Sequence, residues 1–189
     1  MFKIIAVSNR RLCSGGFVQR IKEITSAGTE VILREKDLSP KEYAQLLDKA
    51  GHKNIIPHSF YEQARNAGHK KLHLPLRMLS ENPQLAEEFR VGVSIHSPEE
   101  AAEAQRLGAA YVTAGHIFAT DCKKGLPGRG LKFLKAVKQG TQIPVYAIGG
   151  ICADNIKEIK ETGADGACIM SGFMRCADVK EFIYALHRN

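Results

Sequence analysis

Eight short apolar segments alternate with amphipathic ones along the 189 residues, and this alternation restricts the possible folds more than any other feature. Strands that are joined by helical crossovers run parallel, because each helix returns the chain to the same end of the sheet. Segments such as VYAI and ACIM are apolar on both faces, which is typical of a parallel sheet covered by helices. The predicted strands are 3–8, 30–36, 53–59, 70–75, 90–96, 109–118, 143–150 and 166–172.

Helix starts and stops separate these strands. Ser39 followed by Pro40, and Ser97 followed by Pro98, predict two helix N-termini, since Ser caps free N–H groups and Pro suits the first turn. Glycine then ends the helical pattern at several points, as at Gly51. The predicted helices are 16–28, 39–51, 59–68, 97–108, one that begins near 131, 153–162 and 178–189, with a weaker one at 83–89.

Eight strand–helix units predict a single-domain (β/α)8 TIM barrel that occupies residues 1–189. An open, doubly wound sheet is the alternative. That fold favours a glycine-rich phosphate loop after its first strand, and the sequence SNRRLCSGG at this position is not one. The hydrophobic fraction of 44% is sufficient for a sizeable core.

The formal charge of +7 raises the question of a nucleic-acid partner. Lys and Arg are scattered along the chain without interleaved aromatics, and Trp is absent, so we expect a small anionic ligand and no nucleic acid. No apolar run reaches about 18 residues, and the N-terminal apolar stretch is too short for a signal peptide. We therefore expect no membrane association and a cytoplasmic location, while a homo-oligomer remains open.

The five cysteines are odd in number and form no CxxC pair, so we expect neither a disulfide framework nor a structural zinc site. Histidines are present at several predicted strand ends, but no recurrent ligand spacing accompanies them, and we expect no metal. The cysteines are Cys13, Cys122, Cys152, Cys168 and Cys176.

In a TIM barrel the active site lies at the C-terminal ends of the strands. Arg34 and Lys36 lie on one face at the end of the second strand, with Glu35 opposite. Two cations at one barrel mouth suggest an anionic ligand group, and the alternative is that they pair with Glu35 or Asp37.

The ends of the seventh and eighth strands predict a phosphate site. Each carries glycine and leads towards a helix, and glycine lets an oxyanion approach backbone N–H groups closely. The fold often binds phosphate at these two loops, although glycine also serves in plain tight turns. The predicted phosphate-binding residues are Gly149, Gly150, Met170, Ser171 and Gly172.

His116 ends the sixth strand and opens a long basic loop, IFATDCKKGLPGRG, which could cover a ligand and exclude water. Lys124 and Arg129 are candidate loop contacts. A lone histidine is more often structural, and His58, His73 and His96 at other strand ends are individually weak candidates.

Five segments resemble, in order, the thiamine phosphate synthase superfamily: ILREK, GVSIHSPEEAAEAQRLGAAYV, GHIFATDCKKGLPGRGL, IPVYAIGGI and GADGACIMSGF. The chain is most similar to the TenI-type thiazole tautomerases, which are (β/α)8 barrels that bind a thiazole phosphate. This resemblance implies that His116 transfers the proton, that Arg34 and Lys36 bind the substrate carboxylate, and that no cofactor is needed.

Two departures separate the chain from the synthase branch. Synthases carry NDR after strand three and acidic residues after strand four, which hold Mg²⁺ and a pyrophosphate, where this chain has His58, Ser59 and 75–77. Synthases also carry GPIF or GPVF where this chain has GHIF. The resemblance therefore implies an isomerase of thiamin biosynthesis acting on a thiazole phosphate carboxylate. The alternatives are a thiamine phosphate synthase and a non-catalytic protein that binds thiazole phosphate or has a regulatory role.

Overall fold

The computed structural model describes residues 2–51, 53–120 and 125–188, which form an eight-stranded parallel sheet surrounded by helices. Seven neighbouring strand pairs are joined by regular parallel ladders in the order β3-β2-β1-β8-β7-β6-β5-β4. The strands are β1 Lys3–Val7, β2 Glu30–Leu33, β3 Ile55–Pro57, β4 Lys71–Pro75, β5 Arg90–Ile95, β6 Tyr111–Gly115, β7 Val145–Ile148 and β8 Gly166–Ile169.

The two outer strands of this order, β3 and β4, meet just beyond the end of β3. His58 pairs with His73 in a parallel bridge, and the N–H of Ser59 donates to the carbonyl of His73 at 3.0 Å. This contact closes the sheet into a barrel, so the predicted TIM barrel is confirmed and the open doubly wound alternative is wrong.

Helices cover the outside of the barrel. The predicted Ser–Pro starts are confirmed: Ser39 makes a capping box with Glu42, and the Ser97 hydroxyl accepts from the N–H of Glu100 at 3.1 Å. The helices are α1 Phe17–Ser26, α2 Pro40–Ala50, α3 Tyr61–Asn66, α4 Leu76–Glu81, α5 Leu85–Glu88, α6 Pro98–Arg106, α7 Gly130–Gln139, α8 Ile156–Lys160, α9 Ser171–Arg175 and α10 Val179–Arg188.

Two short helices and a 3-10 turn at Arg10–Leu12 differ from the sequence-based expectation. The strand predicted over 166–172 ends at Ile169, and Ser171 begins α9 instead. The six-residue α4 follows Pro75 directly, in a segment where no helix was expected. Helices of one or two turns contain too few apolar residues for a periodic pattern to reveal them.

The barrel interior is narrow and filled by side chains. Tyr111 projects inward from β6 against Gly92 on β5, and a Cβ atom at position 92 would lie 1.9 Å from the Tyr111 ring. Gly92 is therefore the residue that admits this tyrosine. The inward apolar layer consists of Ile5, Val7, Ile32, Ile56, Tyr111, Tyr146 and Cys168.

None of the helices in the described residues is long and apolar enough to cross a membrane. Four cysteines of the described ranges, Cys13, Cys152, Cys168 and Cys176, are free thiols, and Cys122 lies outside those ranges. Burial raises the pKa of Cys168 to about 12, which keeps that thiol protonated inside the barrel.

Candidate functional site

The C-terminal ends of the strands gather the predicted site residues at one barrel mouth. In the closed order of strands, β2 and β6 lie opposite each other, with β1, β8 and β7 between them on one side. Arg34 follows β2 and His116 follows β6, so these two residues lie across the mouth from each other. The predicted phosphate turns follow β7 and β8, which are hydrogen-bonded neighbours.

His116 is half-buried at the start of the long loop, and its backbone is fixed from both ends of that loop. The N–H of Arg129 donates to the His116 carbonyl at 2.9 Å, and the N–H of Ile117 donates to the carbonyl of Ile148 at 2.9 Å. The imidazole Nε2 lies 3.4 Å from the carbonyl oxygen of Leu126, a separation at the long end for a hydrogen bond. This weak contact leaves the ring available to a ligand.

The glycine turn after β7 contacts His116 directly. Gly149 and Gly150 have φ values of 104° and 67°, in the left-handed region that favours glycine. A Cβ at Gly149 would lie 2.4 Å from the Cβ of His116, and one at Gly150 would lie 2.5 Å from the carbonyl oxygen of Ala119. Both glycines therefore make room for the β6–α7 loop, a packing reason that stands beside the predicted phosphate contact.

The turn itself presents backbone donors. The side chain of Asn155 bridges it, accepting from the N–H of Cys152 and donating to the carbonyl of Gly150, both at 2.9 Å. Within the described residues, no acceptor is found for the N–H groups of Gly150 and Ile151. Such groups can bind an oxyanion at the mouth.

The second predicted phosphate turn contains half-buried Met170, exposed Ser171 and half-buried Gly172. Ser171 and Gly172 open α9, and the first N–H groups of a helix have no acceptor within that helix. Gly172 also packs against α10, since a Cβ there would lie 2.3 Å from the ring of Phe182. The five predicted phosphate residues thus lie on adjacent strand ends, and three of them are glycines with close protein neighbours.

Arg34 is half-buried, and a buried carboxylate network fixes its backbone. The N–H of Arg34 donates to the Ser8 hydroxyl at 2.8 Å, and that hydroxyl donates to Glu35 at 2.7 Å. Glu35 is buried and also accepts from the backbone and guanidinium of Arg10. Arg10 therefore neutralises Glu35, although the sequence suggested that Arg34 or Lys36 could pair with it.

Asp37 is likewise engaged by other cations. Arg10 and Arg11 contact it at 2.6 and 2.7 Å, and the hydrogen bonds from Arg10 lower the pKa of Asp37 to about 2. Among the described residues, the Arg34 guanidinium makes no hydrogen bond or ion pair with a side chain. The exposed Lys36 follows it on the same face, so Arg34 supplies positive charge that its own loop does not neutralise.

The inner wall of the barrel from β3 to β6 carries a hydrogen-bonded cluster that the sequence did not reveal. We call it the histidine network. It consists of His58, Ser59, His73, Ser94, Tyr111 and Thr113. The His73 ring contacts the Tyr111 hydroxyl at 3.1 Å and the Ser94 hydroxyl at 2.9 Å. The rings of His58 and His73 are stacked with 5.6 Å between their centroids.

Both imidazoles of the network are kept neutral. Burial, then the charges of Arg34 and Lys36, lower the pKa of His73 to about 3. Burial is also the largest cause that lowers the pKa of His58, followed by His73, Arg34 and Lys36. Individually these histidines were weak candidates, and only the pairing of β3 with β4 brings them together.

Of the two predicted loop contacts, only Arg129 is among the described residues. Arg129 is exposed and stacks its guanidinium over the ring of Phe133, with 5.3 Å to the centroid. Lys124 lies outside the described residues.

Comparisons with known proteins point to one family. A sequence profile described as thiamine monophosphate synthase matches residues 4–173. The thiamine-phosphate synthase of Syntrophomonas wolfei is 31% identical over 95% of this chain and 91% of its own. That of Clostridium tetani is 32% identical over 93% and 89%. A thiamine phosphate pyrophosphorylase from Pyrococcus furiosus superposes with a TM-score of 0.79 at 27% identity, covering 99% of this chain and 94% of that one. The chain belongs to the thiamine monophosphate synthase family.

Members of the thiamine monophosphate synthase family are enzymes of thiamin biosynthesis. The product in the family's name, thiamine monophosphate, is a phosphate ester. The predicted superfamily and fold are therefore confirmed. The finer expectation of a tautomerase is not: the relatives are named synthases, and their names favour the synthase alternative over the isomerase.

The donor set of this synthase-family member does not suit Mg²⁺ at the ends of β3 and β4. The residues there are His58 and Ser59 after β3, and Leu76 and Arg77 after β4. Arg77 pairs with Glu81 on the exposed side of α4, at 2.7 Å. Mg²⁺ prefers carboxylate and phosphate oxygens, and a neutral imidazole, a hydroxyl and a guanidinium do not replace them.

Proposed function

We propose that this protein is a thiazole tautomerase, which converts a thiazole carboxylate phosphate tautomer to its aromatic form by proton transfer. The observation that carries this proposal is the half-buried imidazole of His116 at the barrel mouth, in contact with the glycine turn after β7. The residues at the ends of β3 and β4 support it as well. They are neutral or cationic, so they do not supply the carboxylates that would hold Mg²⁺ and the pyrophosphate of a synthase substrate.

The reaction needs a base, an anchor for the phosphate and a cation for the carboxylate. His116 takes the proton from the ring carbon that bears the carboxylate and returns it to the exocyclic carbon. A neutral imidazole has one ring nitrogen that accepts a proton, and the protonated ring can donate it again, which suits a group that must do both. Aromatisation supplies the driving force, so the proposed reaction involves no redox cofactor.

The two charged ends of the substrate find partners at different strand ends of the mouth. The backbone N–H groups of Gly150, Ile151 and Ser171 bind the phosphate after β7 and β8. Arg34, assisted by Lys36, binds the carboxylate after β2 and stabilises the negative charge that develops as the ring proton leaves. With its two ends held in this way, the ring lies over the barrel mouth in reach of His116.

The decisive experiment is incubation of the purified protein with the non-aromatic tautomer. Aromatic thiazole absorbance should rise faster than in the uncatalysed reaction, and a rate equal to the uncatalysed one would reject the tautomerase. Tight binding of the thiazole phosphate carboxylate without turnover would instead favour the non-catalytic binding protein.

A thiamine phosphate synthase is the second candidate, favoured by the names of the relatives. We expect the purified protein to form no thiamine phosphate from a pyrimidine pyrophosphate and thiazole phosphate at any Mg²⁺ concentration, because the strand ends lack the carboxylates that such a site requires. The assay is product detection by chromatography, with a relative named synthase as the positive control. Robust Mg²⁺-dependent product formation would restore the synthase and displace the tautomerase.

Exposed Ser171 offers a test of the phosphate site that does not disturb the glycine turns. Ser171→Asp should weaken binding of thiazole phosphate roughly 10-fold or more, since like charges a few ångströms apart repel by about 1 kcal/mol in water and more when partly buried. Aspartate is favourable in the first turn of a helix, so the fold should tolerate it. Ser171→Ala retains the backbone donor and should bind normally. Calorimetry that gives equal affinities for the Asp and Ala variants would remove the phosphate from this position.

A further inference from the structure

His58 lies next to Arg34 on the inner wall of the barrel. Ile32 on β2 pairs with Ile56 on β3, so the residues two positions further along, Arg34 and His58, are neighbours on the same inward face. The His58 side chain is buried at 4% exposure, and Arg34 is half-buried beside it.

Several contacts fix the backbone of His58. Its N–H donates to the hydroxyl of Tyr43 at 3.0 Å, and that hydroxyl donates to the carbonyl of Leu33 at 2.6 Å. The next residue, Ser59, has a φ of 67°, a left-handed conformation that is unusual for serine. Strained residues of this kind cluster at ligand sites, where the surrounding structure holds them in place.

One nitrogen of the His58 ring is engaged, and the other is not. Nδ1 lies 2.8 Å from the hydroxyl of Ser59. Within the described ranges, Nε2 of His58 has no hydrogen-bond partner, whereas both nitrogens of the neighbouring His73 have one. Nε2 of His58 is not among the fully buried polar atoms that lack a partner, so this nitrogen is reached by solvent and a ligand at the barrel mouth can replace that solvent.

We propose that Nε2 of His58 binds the carboxylate of the substrate together with Arg34, an inference that rests on the proposed tautomerase function. With the Ser59 hydroxyl donating to Nδ1, the neutral ring carries its proton on Nε2 and becomes a donor directed at the ligand. The surrounding burial and the cations Arg34 and Lys36 keep the ring neutral, so it binds as a hydrogen-bond donor without adding a charge.

The contact would assist the chemistry as well as binding. When His116 removes the ring proton, the electron pair of that C–H bond moves into the conjugated system that includes the carboxylate. Two donors on the carboxylate oxygens stabilise this charge before the proton is delivered to the exocyclic carbon, and the overall charge does not change. A neutral imidazole is suited to this task because it holds its proton while the charge develops.

The test compares two ligands that differ only in the carboxylate: the aromatic thiazole carboxylate phosphate and the same thiazole phosphate without its carboxylate. We expect His58→Leu to weaken binding of the carboxylated ligand roughly 10- to 100-fold, the usual effect of a lost hydrogen bond to a charged group. The ligand without a carboxylate should bind as tightly as it does to the wild type. His58→Gln supplies an amide donor and should restore much of the carboxylate preference, which a purely structural role would not predict.

Calorimetry with both ligands on the three proteins separates the outcomes. Equal loss of both ligands in His58→Leu, or no loss of either, would overturn the proposed contact. The turnover assay is read independently. Loss of the carboxylate preference in a protein without isomerase activity supports the His58 contact and rejects the tautomerase, whereas full isomerase activity with an unchanged preference in His58→Leu rejects the contact alone.

Discussion

Replacement of His116 by Asn should lower kcat of the isomerisation by roughly 10²- to 10⁴-fold, the range typical of a lost general base. Asparagine keeps a similar size and a hydrogen-bonding group, but it cannot accept a proton. The phosphate turns and Arg34 are unaffected, so binding of the aromatic product should stay near the wild-type value. The measurement is the rate of aromatic absorbance at saturating substrate, paired with product affinity by calorimetry.

His96→Asn is the matched control for this variant. His96 directly follows β5, the strand next to β6, is exposed, and holds its Nδ1 at 3.0 Å from the carbonyl oxygen of Gly115. Its loss should leave most of the rate, because this ring is engaged by the backbone. Wild-type turnover in His116→Asn would make His116 structural and transfer the role of the base to another histidine of the mouth.

The barrel was predictable because its signals are local and repeated. A Ser–Pro pair marks the start of α2 and again of α6, and strands such as β7 and β8 are apolar throughout. Eight repetitions of such a unit leave few topologies other than a closed barrel. The short helices α4 and α9 were not predicted. Helices of one or two turns depend on tertiary packing, such as that of Phe173 against Phe182, and their sequences are too short to show a periodic pattern.

The candidate site was predictable to the extent that it follows from strand ends. His116 and the glycine turns are adjacent in the barrel because β6, β7 and β8 are consecutive in the sheet. The ion pair between Arg10 and Glu35 was not predictable, since 25 residues and a helical crossover separate the two in the sequence. The glycines illustrate a second limit: the sequence shows that Gly149 and Gly150 are small, but only the structure shows that the loop starting at His116 occupies the space beside them.

The histidine network was hidden for a related reason. His58 follows β3 and His73 lies on β4, and the stacking of their rings depends on the register in which β3 meets β4. Tyr111 approaches His73 only because Gly92 leaves space for it. A buried pair of neutral imidazoles is thus a property of the closed barrel and has no local sequence signal.

This network should make the protein sensitive to mild acid. The pKa of His73 is about 3 in the folded protein, lowered by burial and by Arg34 and Lys36, against about 6.5 for histidine in an unfolded chain. Between these values the unfolded chain binds more protons than the folded one, so the free energy of unfolding falls as the pH falls below about 6.5. From pH 8 to pH 5 this histidine alone should remove about 2 kcal/mol, and His58 acts in the same direction.

The pH window identifies the histidines as the main cause, because unperturbed Asp and Glu side chains have pKa values near 4 and stay mostly ionised down to pH 5. Denaturant unfolding at pH 8 and pH 5 measures the loss. His73→Gln can retain a hydrogen bond to Ser94 but has no proton to gain, so it should be less stable than the wild type at pH 8 and yet lose about 2 kcal/mol less on going to pH 5. The comparison at pH 8 isolates the packing cost, since both proteins are neutral at this position there. An equal drop in both proteins would mean that His73 can be protonated within the folded barrel, and the neutral network that supports the His58 contact would then have to be abandoned.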